Sequence, residues 1–158
     1  MNGPRPSIRV FLCDLPSLRT DTKVRFLGCV RNYHVSTGHL VLEHNYPWQK
    51  EGPQSVSVDV NAVLQDLSSE ELRVGAWLNV IGYIRESASP TLSFTSSQLN
   101  SSQPHDAPEV ASVPMRVAPR PVHVDAVMVF SAGAIALGEY ERILRNAQDV
   151  ERRMRVSG

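Results

Sequence analysis

The stretch that most constrains this chain is Lys23–His34, K-V-R-F-L-G-C-V-R-N-Y-H. Val24 and Phe26 alternate with Lys23 and Arg25, the period-2 pattern of a strand with one buried face. The phase is lost at Leu27-Gly28-Cys29 and resumes at Val30. A glycine inside a strand marks a bulge or a sharp bend, or it is simply tolerated there. If the strand bends at Gly28, one long element can serve two sheets of a small closed barrel, as in the five-stranded OB-fold.

Further strands follow along the chain. Ser36-Thr37-Gly38 supplies turn chemistry, and His39–His44 (H-L-V-L-E-H) reads as the second strand of a hairpin. Val56, Val58 and Val60 alternate with Ser55, Ser57, Asp59 and Asn61, which gives a third strand. Across Asn61–Arg73 the spacing of Val63, Leu64, Leu67 and Leu72 turns helical, with Ser68 or Ser69 as N-cap before Glu70-Glu71. Trp77–Arg85 is the fourth strand, with Leu78, Val80, Gly82 and Ile84 on one face. Val122–Phe130 is the fifth, with Val122, Val124, Ala126, Met128 and Phe130 on one side. The expected fold is mainly β: a five-stranded OB-fold barrel with a short helix between strands 3 and 4 and a C-terminal α-helix.

At 158 residues the chain can bury one good core. Residues 1–22 are expected to form an arm over the barrel. Within it, Ile8–Leu18 either covers one barrel end or makes a short edge strand, and Pro16 stops it from continuing. Residues 23–130 form the barrel, interrupted at 87–121 by a Ser/Pro-rich stretch whose composition predicts a long flexible loop. Residues 131–158 form the helix, capped by Ser131. Its apolar positions Ala136, Tyr140, Ile143, Ala147, Val150 and Met154 are spaced 4, 3, 4, 3, 4, a heptad seam that Leu137 and Leu144 widen at one end. Acid-before-base pairs such as Glu141–Arg145 and Glu151–Arg155 flank it. Part of the seam must lie on the barrel. The rest runs past the reach of a small domain, so the C-terminal half is expected to bind a partner helix or a second copy of the chain.

Catalytic equipment is thin. His34, His39 and His44 lie five apart across a hairpin, no Cys pair completes a zinc site, and they read as surface or groove histidines. Asp59, Asp66, Glu70 and Glu71 look like a solvated acidic face, and Gly75 and Gly82 make no phosphate loop. No cofactor and no metal are expected, and an enzyme is the weakest reading. The two cysteines suit a reducing compartment, and with no signal peptide or membrane span in evidence a soluble intracellular protein is expected.

Nucleic-acid binding has more support. OB barrels bind strands across their second and third strands and flanking loops. Arg31, Tyr33, His34, Tyr46, Trp48, Lys50 and Arg85 fall on or beside that surface, and Trp48 offers a ring for stacking unless Tyr46-Pro47-Trp48 packs down as a loop anchor. Yet 16 basic residues balance 16 acidic ones. That is not the basic footprint of a stand-alone binder, so affinity for single strands is expected to be weak or shared with a partner.

The runs V-R-F-L-G-C-V (24–30), L-V-L-E-H-N-Y-P (40–47), V-D-V-N (58–61), R-V-G-A-W-L-N-V-I-G-Y-I (73–84) and S-A-G-A-I-A-L-G-E-Y-E (131–141) carry a resemblance. Across residues 8–86 and 122–150 the chain resembles the fungal branch of the smallest subunit of the CST telomere-capping complex. The resemblance implies an OB-fold similar to the small subunit of replication protein A. It also implies a heterodimer with the middle CST subunit through C-terminal helices, and a nuclear role at chromosome ends. In that family an arginine of the first strand faces the partner, which falls here on Arg25, and a helix aromatic falls on Tyr140. The 87–121 stretch lies outside the pattern.

Overall fold

Lys23–His34 forms one uninterrupted strand in the computed structural model, which describes residues 3–87 and 121–158. In chain order the elements are β1 (Ile8–Arg9), a 3-10 turn (Leu12–Ser17), β2 (Lys23–His34), β3 (His39–Glu43) and β4 (Ser55–Asp59). A second 3-10 turn (Asn61–Asp66), β5 (Trp77–Glu86), β6 (Val122–Ser131) and α1 (Leu137–Val156) follow. The first half of β2 pairs antiparallel with β5, the second half with β3, and Cys29 is matched to both Trp77 and Glu43. The circuit then runs through β4 and β6 back to β5, with β4 and β6 parallel. Five strands thus close the OB barrel, and β1 adds a two-residue parallel rung beside Val24 and Arg25. Phe26, Leu40, Leu42, Val58, Val80, Ile84 and Val124 fill it, each fully buried.

Gly28 does not break the strand; it sits in the regular ladder opposite Leu78. Its role is close approach, since a Cβ there would lie 2.9 Å from Leu42 Cβ and 3.5 Å from Leu12 Cδ1. The irregularity falls three residues later. Val30 is opposite Leu42 while Asn32 is opposite Val41, so Arg31 is the extra residue of a bulge. A second slip pairs Ile81 with Met128 but Gly82 with Ala126, which leaves Val127 unmatched. Below that bulge Val124 and Ala126 point inward; above it Val129 does, and Met128 turns half exposed. The expectation that Met128 shares a face with Val124 and Ala126 is therefore corrected by one inserted residue. Gly82 makes the crossing possible, because a Cβ there would sit 2.4 Å from the Asp125 carbonyl oxygen.

Both short helices are 3-10 turns, in which residues three apart eclipse. Leu12 and Leu15 enter the core together from the first turn, and Val60 and Val63 reach it at the second. Pro16 lies inside the first turn instead of ending it. The bonds there run from Asp14 N–H to the Phe11 carbonyl and from Leu18 N–H to the Leu15 carbonyl, so no donor is needed at residue 16. The second turn stops at Asp66, short of Arg73. Ser68 does not act as a helix N-cap there; its N–H and Oγ both donate to the Glu71 carboxylate, the N–H at 2.8 Å, and close a turn instead of a helix.

The C-terminal helix begins five residues later than Ser131 suggests. Ser131 ends β6 and accepts the Gly133 N–H at 3.1 Å, and Gly133 is left-handed at φ 62°. That conformation interrupts any helix started earlier, so Ala136 becomes the N-cap position and lies outside the helix proper. The expectation for 88–120 lies outside the described residues.

Candidate partner interface

The helix presents two different sides. Leu144, Glu141 and Gln148 recur at three- and four-residue spacing and face the barrel. Leu144 is the one buried helix residue, 4% exposed. Glu141 Oε1 lies 2.8 Å from His44 Nε2, a bond in which the imidazole N–H donates to the carboxylate. Gln148 Nε2 donates to Asp14 Oδ2 at 2.9 Å, the same carboxylate that caps the first 3-10 turn through Phe11 N–H. His44 is thus no surface histidine. It is buried, edge-on to Trp77 at 5.4 Å and ringed by Phe11, Tyr46 and Tyr140.

The opposite character belongs to Ile143, Ala147, Val150 and Met154. Ile143 is 51% exposed, Val150 56% and Met154 72%, and Ala147 is exposed as well. Leu144, by contrast, is spent on the chain's own barrel. Tyr140 stands between the two sides, half-buried, its hydroxyl pKa pushed up by burial against the pull of Arg9 and Arg25 nearby. Arg25 lies over the Phe130 ring at 5.4 Å on the outer barrel surface. Alongside the helix runs a cleft of about 470 Å³ between Ile8, Val10 and Leu18 on one wall and Ile143, Leu144 and Ala147 on the other. Its β1 wall is the short edge strand that the sequence offered within Ile8–Leu18.

The nucleic-acid candidates are scattered. Arg31 is exposed but paired with Glu43 at 3.0 Å, and Arg85 is held by Asp21 and Asp125. The Arg31 bulge turns Tyr33 opposite Leu40 and against the core. His34 stays exposed at the hairpin end beside Asn32. Tyr46 packs on Phe11 with ring centroids 4.8 Å apart, whereas Trp48, 73% exposed, and Lys50 project into solvent. The loop therefore splits: its tyrosine is an anchor and its tryptophan is free. His39 and Asp59 share this face, where burial raises the Asp59 pKa but hydrogen bonds from Asn61 outweigh it and hold it low.

Residues 1–145 match the family described as Ten1, "Telomere capping, CST complex subunit". The chain belongs to that family. The Schizosaccharomyces pombe protein ten1 is 31% identical over 77 residues, which is 49% of this chain and 64% of that relative, so the match spans less than two thirds of its length. Among solved structures, the S. pombe Stn1-ten1 complex superposes with a TM-score of 0.57 at 23% identity, covering 93% of this chain and 96% of that one. The S. pombe telomere capping protein Ten1 does so at 0.55 and 22%, covering 91% and 99%. At such identities the likeness concerns the fold: the barrel with its C-terminal helix is shared.

Proposed function

We propose that this chain is a non-enzymatic accessory subunit of a nuclear telomere single-strand DNA-capping complex. In this reading it forms a heterodimer with the middle, Stn1-type OB subunit through α1 and stabilises that subunit's DNA binding. One observation carries the reading: Ile143, Ala147, Val150 and Met154 form an apolar stripe that the chain's own barrel leaves uncovered. Arg25 and Tyr140, together with Ala136 just before the helix, complete the proposed partner surface, whereas Leu144 is buried on the barrel and does not join it. The solved S. pombe complex, in which a chain of the same fold is paired with Stn1, supports the choice of partner.

The test is Ile143→Asp with Val150→Asp. Circular dichroism of the isolated variant should be unchanged, while co-purification with the Stn1-type subunit should be lost. An unfolded variant would make the stripe part of the chain's own core and sink the reading.

A second reading, a stand-alone single-strand binder, rests on Trp48 and Lys50 in the exposed loop. The ion pairs that occupy Arg31 and Arg85 weigh against it. Titration with single-stranded DNA at two salt concentrations separates the two, since tight binding by the lone chain with a steep salt slope belongs only to the second.

A further inference from the structure

The stripe on α1 is more apolar than the side that faces the barrel, and this ordering is unusual. A helix normally buries its most apolar face on its own domain. At 3.6 residues per turn the two sides lie about a third of a turn apart. The inward side offers Leu137 and Leu144 interleaved with Glu141 and Gln148, with Tyr140 at its edge; the outward side offers Ile143, Ala147, Val150 and Met154. A roll of the helix toward β1 would carry Ile143 and Ala147 deeper into the cleft they already line with Ile8, Val10 and Leu18. Hydrophobic burial alone favours that roll.

Two hydrogen bonds oppose it. We propose that the His44–Glu141 and Asp14–Gln148 bonds fix the rotation of α1 so that its apolar stripe stays outward, available to a partner. Stability alone does not explain them. His44 Nδ1 is buried with no hydrogen-bond partner among the described residues. Replacing both members of such a buried pair by apolar groups is generally close to neutral. What the polar pair provides and an apolar one would not is direction. Glu141 Oε1 can meet His44 Nε2, and Gln148 Nε2 can meet Asp14 Oδ2, at only one rotation of the helix. His44, Asp14, Glu141 and Gln148 are thus positioning residues for the partner surface. Their partners are anchored in turn: Asp14 caps the 3-10 turn that inserts Leu12 and Leu15 into the core, and His44 follows directly on β3.

The inference rests on the partner reading above but has a readout that needs no partner. In the full-length Glu141→Ala, Gln148→Ala double variant, the methyl groups of Ile143 and Val150 should become shielded from a soluble nitroxide, measured by NMR relaxation. Helicity should be unchanged, and affinity for the Stn1-type subunit should fall at least tenfold. Glu141→Gln, which keeps an acceptor for His44, should behave as wild type in both assays. If Ile143 and Val150 stay as accessible as in the wild type, or if Leu144 becomes accessible because the helix lifts off, the bonds do not select a face and the inference is overturned. Shielding of the stripe with unchanged affinity would leave the rotation standing and refute the partner reading instead.

Discussion

The barrel interior and the seat of α1 are built on opposite plans. The interior is redundant: Phe26, Leu40, Leu42, Val58, Val80, Ile84 and Val124 are each fully buried within one continuous cluster. The seat has a single buried helix residue, Leu144, two polar bonds, and the aromatic ring around His44. A closed barrel needs area and close fit. A helix that holds one face for a partner, as proposed, needs its orientation defined more than it needs burial. The difference teaches that the two parts of this small domain are stabilised for different ends, and substitutions should separate them.

The largest effect is expected where the barrel walls touch. Gly82→Val places a side chain against the Asp125 carbonyl at the second bulge, an overlap that backbone must move to relieve. It should cost more than about 4 kcal/mol, the range in which domains of this size cease to fold cooperatively. A cooperative melt close to wild type would show that β5 and β6 are not locked there. Gly28→Val meets Leu42 Cβ at 2.9 Å, which moves only with its backbone, and the more yielding ends of the Leu42 and Leu12 side chains. The expected loss is roughly 2–3 kcal/mol in urea unfolding, through overpacking and not through backbone strain. A neutral result would remove the close approach between β2 and β3 from the account.

The smallest effects belong to the helix, and there the contrast lies within one element. Leu144→Ala should lower stability by about 2 kcal/mol, as for a partly collapsible Leu site. Val150→Ala should change the isolated chain by no more than about 0.5 kcal/mol, as at an exposed position. Equal losses at the two positions would mean that the stripe already packs on the barrel.

Much of this was legible in the sequence, for physical reasons that also mark its limits. Valines alternating with serines at 55–60 have one possible phase, and the barrel strands and the family both followed from such runs. Val127-Met128-Val129-Phe130 is apolar on both sides, so periodicity could not reveal which neighbour faces in, and Met128 was turned the wrong way. The Arg31 bulge defeated the reading of Tyr33 in the same manner. The heptad seam named a real stripe but could not tell which edge the barrel would claim. That choice is made by Glu141 with His44 and by Gln148 with Asp14, polar contacts between distant segments that leave no period in the chain.

The parallel seam between β4 and β6 sets Ser57 beside His123, residues far apart along the chain. Contacts so distant in sequence repay the entropy of loop closure late, which places barrels of this kind among slow folders. The seat of α1 is assembled from Phe11, His44 and Trp77, which no local stretch brings together. The outward stripe is therefore displayed in its fixed orientation only after the barrel has closed. In the proposed heterodimer, a partner that reads that orientation would thereby select finished subunits over incomplete ones.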